Sequence, residues 1–121
     1  MAKKLEGKNI LLNGIVEVMR DTKAQNIVSL DLKNIESAIC KHFIICTGTS
    51  NIHVNSIESN IRKTISKKLT EKPFNVEGNN VGEWVLIDYY DIIVHVFQES
   101  TRNFYDIEGF WGDAEFTNYT D

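Results

Sequence analysis

The chain has little of what builds linkers, extracellular scaffolds or membrane spans. Its 121 residues include one proline, Pro73, and the only stretch rich in glycine and asparagine is the short run 77–82. A run of that length is typical of a turn between two elements and not of a domain boundary. Because internal repeats and low-complexity tracts are absent as well, we predict a single domain spanning residues 1–121. Chain ends are commonly disordered, so the order of residues 115–121 is left open.

Cysteines and long apolar runs are scarce too. The two cysteines, Cys40 and Cys46, are too few for a disulfide-rich scaffold. No apolar run approaches the roughly 20 residues that span a bilayer. The N-terminal sequence MAKKLEGKN is basic, but no unbroken hydrophobic stretch follows it as it would in a signal peptide. We therefore expect a cytoplasmic protein without a membrane partner, whose thiols are reduced.

Positive charge is in the minority. Thirteen Lys and Arg against seventeen Asp and Glu give a formal net charge of −4, and the sequence pI is about 5.3. A protein that holds nucleic acid by neutralising phosphates is usually basic, so DNA is not expected as a direct partner. An acidic domain is instead suited to a partner with a basic face.

What is present is a regular alternation of helix and strand patterns. Apolar residues recur every three or four positions in the helical segments, and at every second position or continuously in the strands. The predicted order is α-β-β-α-(β)-β-β-α, over residues 5–23, 26–32, 42–47, 50–69, 74–76, 83–88, 92–97 and 99–111. Two strand pairs around a long helix indicate an α/β or α+β domain with a mixed β-sheet. We take α/β, with helices flanking the sheet, as the predicted fold class.

Motifs for metal binding and nucleophilic catalysis are weak. Cys40, His42 and Cys46 lie close in sequence but form no C-x-x-C pair of the kind that structural zinc uses. Ser50, Asp88 and His95 could be drawn as a triad, but no G-x-S-x-G motif accompanies them. We therefore predict no catalytic residue, no metal site and no cofactor.

One turn has the form of an anion site. Gly48, Thr49 and Ser50 connect a buried strand to the start of the long helix, where free backbone N–H groups can bind an anion. The same residue types are common simply as helix caps, and both the Walker A and the G-x-G-x-x-G patterns are absent. The turn is thus a candidate anion site, with a capping role as the alternative.

The predicted hairpin near the C-terminus holds two further candidates. Asp88 and Asp91 flank its turn and could bind Mg²⁺, although aspartates are also common in turns for local hydrogen bonding. Trp84, Leu86 and Asp88 alternate along one face of the first strand, and Tyr89 follows. An aromatic, an aliphatic and an acidic side chain together are typical of a protein-binding surface, with burial of Trp84 in the core as the alternative.

Four segments of the chain match the pattern of one known family. The most specific is residues 82–97, GEWVLIDYYDIIVHVF, and the others are 43–51 (FIICTGTSN), 76–78 (VEG) and the pair 102–108 (RNFYDIE) with 111–113 (WGD). In these segments, which extend over about residues 11–114, the chain resembles the ribosomal silencing factor family, RsfS or Iojap. One departure is Tyr90, which occupies a turn position where the family usually has glycine.

The resemblance implies a translational repressor and not an enzyme. Members of the family bind the large ribosomal subunit at ribosomal protein fourteen, and so block joining of the small subunit by steric exclusion. A patch of Trp84, Leu86, Asp88 and Tyr89 would supply this chain with an aromatic anchor, apolar area and a charge for a basic partner. The family fold is nucleotidyltransferase-like. Its members are described as dimers, so a homodimer of this chain is also left open.

Two alternative functions remain open. The first is a metal-dependent, nucleotidyltransferase-like enzyme, but Asp88 and Asp91 do not reproduce the D-x-D pair of active enzymes with that fold. Carboxylates converging near Gly48 would favour it. The second is a protein that binds single-stranded RNA through exposed aromatic side chains, which would require Lys and Arg beside Trp84 or Tyr89.

Overall fold

The computed structural model describes residues 9–119, which build a six-stranded sheet with helices on both faces. The helices are α1 (Ile10–Asp21), α2 (Asn51–Leu69), α3 (Glu99–Tyr105) and α4 (Ile107–Phe110). The strands are β1 (Gln25–Asp31), β2 (His42–Gly48), β3 (Asn75–Glu77), β4 (Trp84–Asp88), β5 (Ile92–Gln98) and β6 (Glu115–Asn118). Their order across the sheet is β3-β4-β5-β2-β1-β6, with β2 and β5 parallel and the other neighbours antiparallel. The predicted α/β fold with a mixed sheet is confirmed.

Helices α1 and α2 close one face of the sheet, which we call the helix face. Their apolar stripes meet the side chains of β2, β4 and β5 that point to the same side. Ile15 of α1 and Ile57 and Ile61 of α2 have no exposed surface. A Cβ at Gly14 would stand 3.1 Å from the side chain of Ile65, so this glycine lets the two helices approach closely. The face is a conventional aliphatic core, whose burial stabilises the fold.

The ends of α2 follow from its sequence. The Ser50 side chain accepts a hydrogen bond from the backbone N–H of His53 at 3.0 Å, which is the capping interaction expected of serine at that position. The helix ends at Leu69, where Thr70 adopts a left-handed conformation with φ of 56°, and Pro73 follows. Proline cannot continue a helix, so the chain turns back here and enters β3.

The opposite face of the sheet is covered by loops and short helices. The segment between β1 and β2 and the segment from α3 to β6 lie over it, and they bury Leu30, Phe43, Ile45 and Phe97. The cover is incomplete, because Trp84 and Leu86 of β4 stay half-exposed at its edge. This difference between the two faces positions the candidate site.

The C-terminal segment differs most from the prediction. The C-terminal tail forms two short helices instead of one, because Asp106 takes a left-handed φ of 46° and its side chain caps α4 by accepting from the N–H of Gly109. Residues 115–118, whose order the sequence left open, form strand β6 against β1. Helix α1 starts at Ile10, and the part of the predicted helix over residues 5–8 lies outside the described residues.

The hairpin turn between β4 and β5 is centred on Tyr90. This residue has a φ of 73°, a conformation that glycine adopts readily and tyrosine rarely. The N–H of Asp91 donates to the carbonyl of Tyr89 at 2.9 Å, which makes a three-residue γ-turn. One oxygen of Asp88 accepts from the N–H of Tyr90 at 2.8 Å and supports the strained residue. The turn is therefore tight, as predicted, and tolerates a non-glycine residue through local hydrogen bonds.

Candidate interaction surface

Two groups of contacting aromatic side chains, Trp84 with Tyr105 and Phe104, and Phe110 with Trp111, lie on the loop-covered side of the sheet. We call this surface the aromatic face and define it by six residues from β4 and the C-terminal helices: Trp84, Leu86, Phe104, Tyr105, Phe110 and Trp111. The ring of Tyr105 lies between Trp84 at 4.8 Å and Phe104 at 5.0 Å, measured between centroids. Phe104 and Phe110 are 80% and 79% exposed, and Tyr105 is 53% exposed. Exposed aromatic side chains in such a cluster are the usual anchors of protein interfaces.

Buried rings connect the two ends of the aromatic face. Phe43 of β2 makes edge-to-face contacts with His95 at 4.6 Å and with Trp111 at 5.9 Å. Trp84 in turn stacks on Phe97 at 4.9 Å. Edge-to-face and offset contacts at these distances are favourable for aromatic pairs. The exposed rings therefore rest on a rigid layer of buried rings and not on mobile loops alone.

His95 holds Trp84 in place from below. The indole Nε1–H of Trp84 donates to Nδ1 of His95 at 3.1 Å. For Nδ1 to accept, the imidazole must be neutral with its proton on Nε2. Burial lowers the pKa of His95 from its ordinary 6.5 to about 4, so the ring is neutral at physiological pH. In the part of the chain that the structure describes, Nε2 of His95 is buried without a hydrogen-bond partner. The imidazole therefore fixes the orientation of the indole.

Arg102 fixes the helices that carry the other aromatic residues. Its guanidinium is nearly buried and makes two parallel bonds to Glu108, from Nε at 2.9 Å and from the terminal nitrogen at 2.8 Å. The remaining nitrogen donates to the carbonyl of Asn26 and to the hydroxyl of Thr47, both at 2.8 Å. Paired bonds between arginine and a carboxylate are strong and directional. Arg102 thus joins α3 and α4 to the ends of β1 and β2.

Of the four predicted partner-binding residues, the structure brings three to one side. Trp84, Leu86 and Asp88 are half-buried and point away from the helix face, as the alternation along β4 predicts. Tyr89 is placed elsewhere: it is buried on the helix face, and burial raises the pKa of its hydroxyl to about 12. The side chain of Tyr89 thus lies apart from the other three, because the strand period turns it toward the helices, and its part in partner binding stays a prediction.

The segment that builds the aromatic face is strongly acidic. Residues 73–119 contain nine Asp and Glu residues and a single basic residue, Arg102, which is already paired with Glu108. The exposed aromatic area is thus accompanied by negative charge without free cations. This composition matches a partner with a basic surface. Within residues 73–119, the segment supplies no lysine and only the paired Arg102 for the single-stranded RNA alternative, which would require basic side chains beside Trp84.

The turn predicted as an anion site has most of its donors in use. The N–H of Thr49 donates to Nδ1 of His53 at 2.9 Å. The N–H groups of residues 52–54 donate to oxygen atoms of Ser50 and Asn51. The other ring nitrogen of His53 bonds to the Thr22 carbonyl at 2.7 Å and ties the turn to the end of α1. The turn acts as a cap of α2, and anion binding at Gly48, Thr49 and Ser50 stays a prediction.

Carboxylates do not converge on this turn. A Cβ at Gly48 would lie 2.8 Å from the side chain of Val54, so glycine is needed here for close packing of strand and helix. Around Gly48, the groove that the structure describes is lined by one carboxylate, Glu99. Asp88 and Asp91 lie at the other end of the sheet, about six strand residues or roughly 20 Å away. The arrangement required for the enzyme alternative is not formed by the described residues.

The residues considered for metal binding have structural surroundings. Burial raises the pKa of Cys40 to about 11 and that of Cys46 to about 12, so both thiols stay protonated near neutral pH. A thiol ligand has to be deprotonated to bind a metal ion. Among residues 9–119, no group of three or more His, Cys, Asp and Glu side chains is arranged to hold one. Within the same residues, no helix has the length and apolar character required to cross a bilayer.

Sequence comparison assigns the chain to a family. The profile of the family described as "Ribosomal silencing factor during starvation" matches residues 6–121. The chain belongs to this ribosomal silencing factor family, RsfS. The RsfS of Halalkalibacterium halodurans is 38% identical over 104 residues, which cover 86% of this chain and 87% of that protein. As an RsfS member, the chain is a regulatory protein associated with the ribosome, and the family description names no catalysed reaction.

A solved structure and a more distant relative extend the comparison. A crystal structure of a Chromobacterium violaceum protein superposes on this chain with a TM-score of 0.81 at 32% identity, covering 86% of this chain and 85% of that one. A mouse protein named "Mitochondrial assembly of ribosomal large subunit protein 1" is 23% identical over 107 residues, which are 87% of this chain and 46% of the mouse protein. The RsfS fold therefore spans nearly all of the described residues.

Sequence reasoning missed Arg102 and the exposed aromatic residues of the RsfS C-terminal segment. Phe104, Tyr105 and Phe110 are more exposed than the half-buried Trp84 that the sequence singled out. A signal was present, because two pairs of adjacent aromatic residues stand in a short polar segment that cannot bury all of them. The role of Arg102 had no such signal, since its partners are spread from Asn26 to Glu108.

Proposed function

We propose that this chain represses translation by binding the large ribosomal subunit through ribosomal protein fourteen, and by blocking the small subunit from joining. The observation that carries the proposal is the aromatic face, a set of exposed and half-buried aromatic side chains accompanied by acidic residues on an RsfS-family domain. The name of the mouse relative, which refers to the large ribosomal subunit, points to the same particle. The mechanism is steric, so it requires a rigid surface and no chemical step.

Trp84 is the proposed anchor of this contact. It is half-exposed, its indole is oriented by His95, and Tyr105 packs against it. A pre-oriented aromatic ring loses little conformational freedom on binding, which is why tryptophan often dominates interface energetics. Leu86 adds apolar area next to it, and Asp88 contributes negative charge at the edge. Ribosomal protein fourteen is expected to present a complementary basic and apolar surface.

Two further features belong to the proposal. We place the action in the cytoplasm, where free subunits are available before they join. A homodimer would use the same kind of exposed aromatic area across a two-fold axis, and self-association would then compete with ribosome binding. Sedimentation equilibrium of the wild type and a Phe104→Ser variant would measure this self-association. The variant should be more monomeric if the aromatic face pairs with itself.

The test is subunit joining. Purified small and large subunits would be mixed with the protein and sedimented in a gradient. The wild type should reduce the joined particle and comigrate with the large subunit. Trp84→Ala should weaken binding to isolated ribosomal protein fourteen by at least about 2 kcal/mol, or roughly 30-fold in Kd, because interface hot spots lose that much on truncation.

A pair of exposed substitutions separates binding from folding. Trp84 also packs on Phe97, so its truncation can weaken the fold. Phe104→Ser removes a side chain that is 80% exposed and should impair binding without a change in thermal stability. Ile52→Ser removes an equally exposed side chain, at 78%, from the N-terminus of α2 and should leave binding intact. Undisturbed subunit joining by the wild type, or equal binding by all variants, would rule out the proposal.

A further inference from the structure

Five of the thirteen basic residues of this acidic protein lie in the C-terminal half of α2 and just beyond its end. Between Glu58 and Lys72 the chain has five basic and two acidic residues, whereas residues 73–119 are almost uniformly acidic. Four of the basic residues, Arg62, Lys63, Lys67 and Lys72, line one open groove, together with Ser66 and Pro73. We call it the basic groove. The overall charge of −4 therefore conceals a local surface of the opposite sign.

The lysines of the basic groove are not neutralised by the fold. Among the described residues, no carboxylate lies within ion-pair distance of Lys63, Lys67 or Lys72. Of the two acids in this stretch, Glu58 is buried and already bonded to Nε of Arg62 at 2.7 Å, and Glu71, next to Lys72 in sequence, forms no ion pair with these lysines. Two exposed lysines elsewhere on the described surface differ from those of the groove.

Lys33 and Lys41 provide the contrast. Lys33 lies 3.6 Å from an oxygen of Asp31, and Lys41 lies 3.9 Å from an oxygen of Asp91. Each of these exposed lysines thus has an aspartate within reach, which the lysines of the groove lack. The helix dipole explains a preference for cations in the last turn of α2, where Lys67 stands. It does not explain Lys63 one turn earlier, or Lys72 beyond the end of the helix.

The basic groove lies beside the sheet edge formed by β3 and β4, at the end of β4 that carries Asp88. Pro73 lines the groove and leads directly into β3, which pairs with β4. Leu86 of β4 stands opposite Glu77 of β3, on the strand pair that also carries Trp84. A partner that covers Trp84 and Leu86 therefore approaches the same sheet edge that the groove borders.

We infer that the basic groove binds the phosphate backbone of ribosomal RNA beside the ribosomal protein that the aromatic face contacts. The inference rests on the proposed function, because it requires the protein to sit on the large subunit. The clustered lysines have no carboxylate partner among the described residues, so they are available to an external anion. Lysine binds phosphate groups as a point charge, which makes a phosphate backbone a suitable partner. The residues that line the described groove are basic side chains, a serine and a proline, so we assign the contact to the backbone and not to the bases; the exposed ring pair Phe74 and Tyr90 stands beside Pro73 and outside this lining.

The experiment measures affinity for purified large subunits as a function of salt. Each lysine–phosphate contact releases counterions, so log K falls with log salt by roughly 0.7–0.9 per contact. The double variant Lys63→Gln/Lys67→Gln should bind large subunits about tenfold more weakly at low salt, and its salt slope should be shallower by roughly 1.5. The control Lys33→Gln/Lys41→Gln carries the same change in charge and should match the wild type.

A second arm uses isolated ribosomal protein fourteen. The variant Lys63→Gln/Lys67→Gln should bind it as the wild type does, because the RNA is absent. Weaker binding in this arm would assign the groove to a protein surface and overturn the inference. Equal salt slopes for wild type and variant on large subunits would overturn it as well, while the proposed function would stand. If the wild type does not bind large subunits at all, both the inference about the basic groove and the proposed function are contradicted.

Discussion

The two faces of the sheet use different side chains for different purposes. On the helix face, Ile15, Ile57, Ile61 and their neighbours are aliphatic and fully buried. On the other face, aromatic rings join the aliphatic side chains, and Phe104, Tyr105 and Phe110 remain exposed although Tyr105 contacts the half-buried Trp84 and Phe110 the half-buried Trp111. The same strands contribute to both faces, so the difference between the faces comes from their side chains and not from the strand arrangement. The lesson is that one face stabilises the domain while the other is available to a partner.

The two faces also differ in the buried polar groups that support them. The helix face is closed mainly by apolar contacts, with one buried charge, Glu58, paired with Arg62 of the same helix, whereas the aromatic face is held by a buried arginine and a buried histidine. Hydrogen-bonded groups of this kind are directional, so they fix the orientation of side chains that apolar packing alone would leave adjustable. Precision at the aromatic face therefore depends on a few polar residues, and these are the positions at which the comparison can be tested.

The largest effect is expected from Arg102. Arg102→Met should lower the free energy of unfolding by about 3–5 kcal/mol, because it leaves Glu108 without its partner and removes the bonds to Asn26 and Thr47. Hydrogen exchange of the backbone in residues 99–111 should accelerate, since α3 and α4 lose their anchor. Urea denaturation and hydrogen-exchange mass spectrometry measure the two effects.

Arg20 provides the matched control for Arg102. It also ties the C-terminal segment to the body of the protein, through two bonds to the Tyr119 carbonyl, but it does so at the surface. Arg20→Met should lower the free energy of unfolding by about 1 kcal/mol. If the two substitutions lower the free energy of unfolding equally, the buried hydrogen bonds of Arg102 are not what holds the aromatic face in place.

A somewhat smaller effect is expected from the protonation of His95. Well above pH 6.5, His95 is neutral in both the folded and the unfolded protein, and its titration does not lower the free energy of unfolding. Between pH 6.5 and about 4 the unfolded chain binds a proton that the folded protein refuses, so stability falls as the pH decreases. A difference of that size in pKa corresponds to about 3 kcal/mol lost by pH 4.

The variant His95→Gln isolates this term. Glutamine keeps an acceptor for the Trp84 indole but does not titrate, so the wild type should lose about 3 kcal/mol more than the variant between pH 7 and pH 4. Urea denaturation at several pH values measures the difference, and contributions from the carboxylates and from His42 cancel between the two proteins. Parallel pH profiles would show that His95 is not buried as a neutral ring beneath Trp84.

Local patterns predicted most of the fold. The apolar stripe of α2, its serine cap and Pro73 defined a helix whose bounds the structure reproduces almost to the residue. The continuous apolar run of β2 correctly indicated a central strand covered on both faces. What the sequence did not predict depends on contacts between distant residues. Strand β6 exists because β1 offers it an edge, and the tail divides into α3 and α4 because Asp106 adopts a left-handed conformation.

The candidate site was predicted in part. Alternation along β4 correctly placed Trp84, Leu86 and Asp88 on one side, and the same rule already turned Tyr89 away from them. The larger share of the aromatic face comes from α3 and α4, whose position is set by the bonds of Arg102 to residues far away in sequence. A periodic pattern contains no information about such bonds. The basic groove was missed because net charge averages over surfaces of opposite sign.

The central claim, that the aromatic face contacts ribosomal protein fourteen, is tested most directly by photo-crosslinking on purified large subunits. A crosslinking phenylalanine analogue would replace Phe104 on the aromatic face or, in a control, Ile52 at the start of α2; both side chains are largely exposed. Mass spectrometry would then identify the crosslinked protein. The account predicts that position 104 crosslinks to ribosomal protein fourteen and that position 52 does not. A crosslink to that protein from position 52 alone, or from position 104 to other ribosomal proteins only, would contradict it.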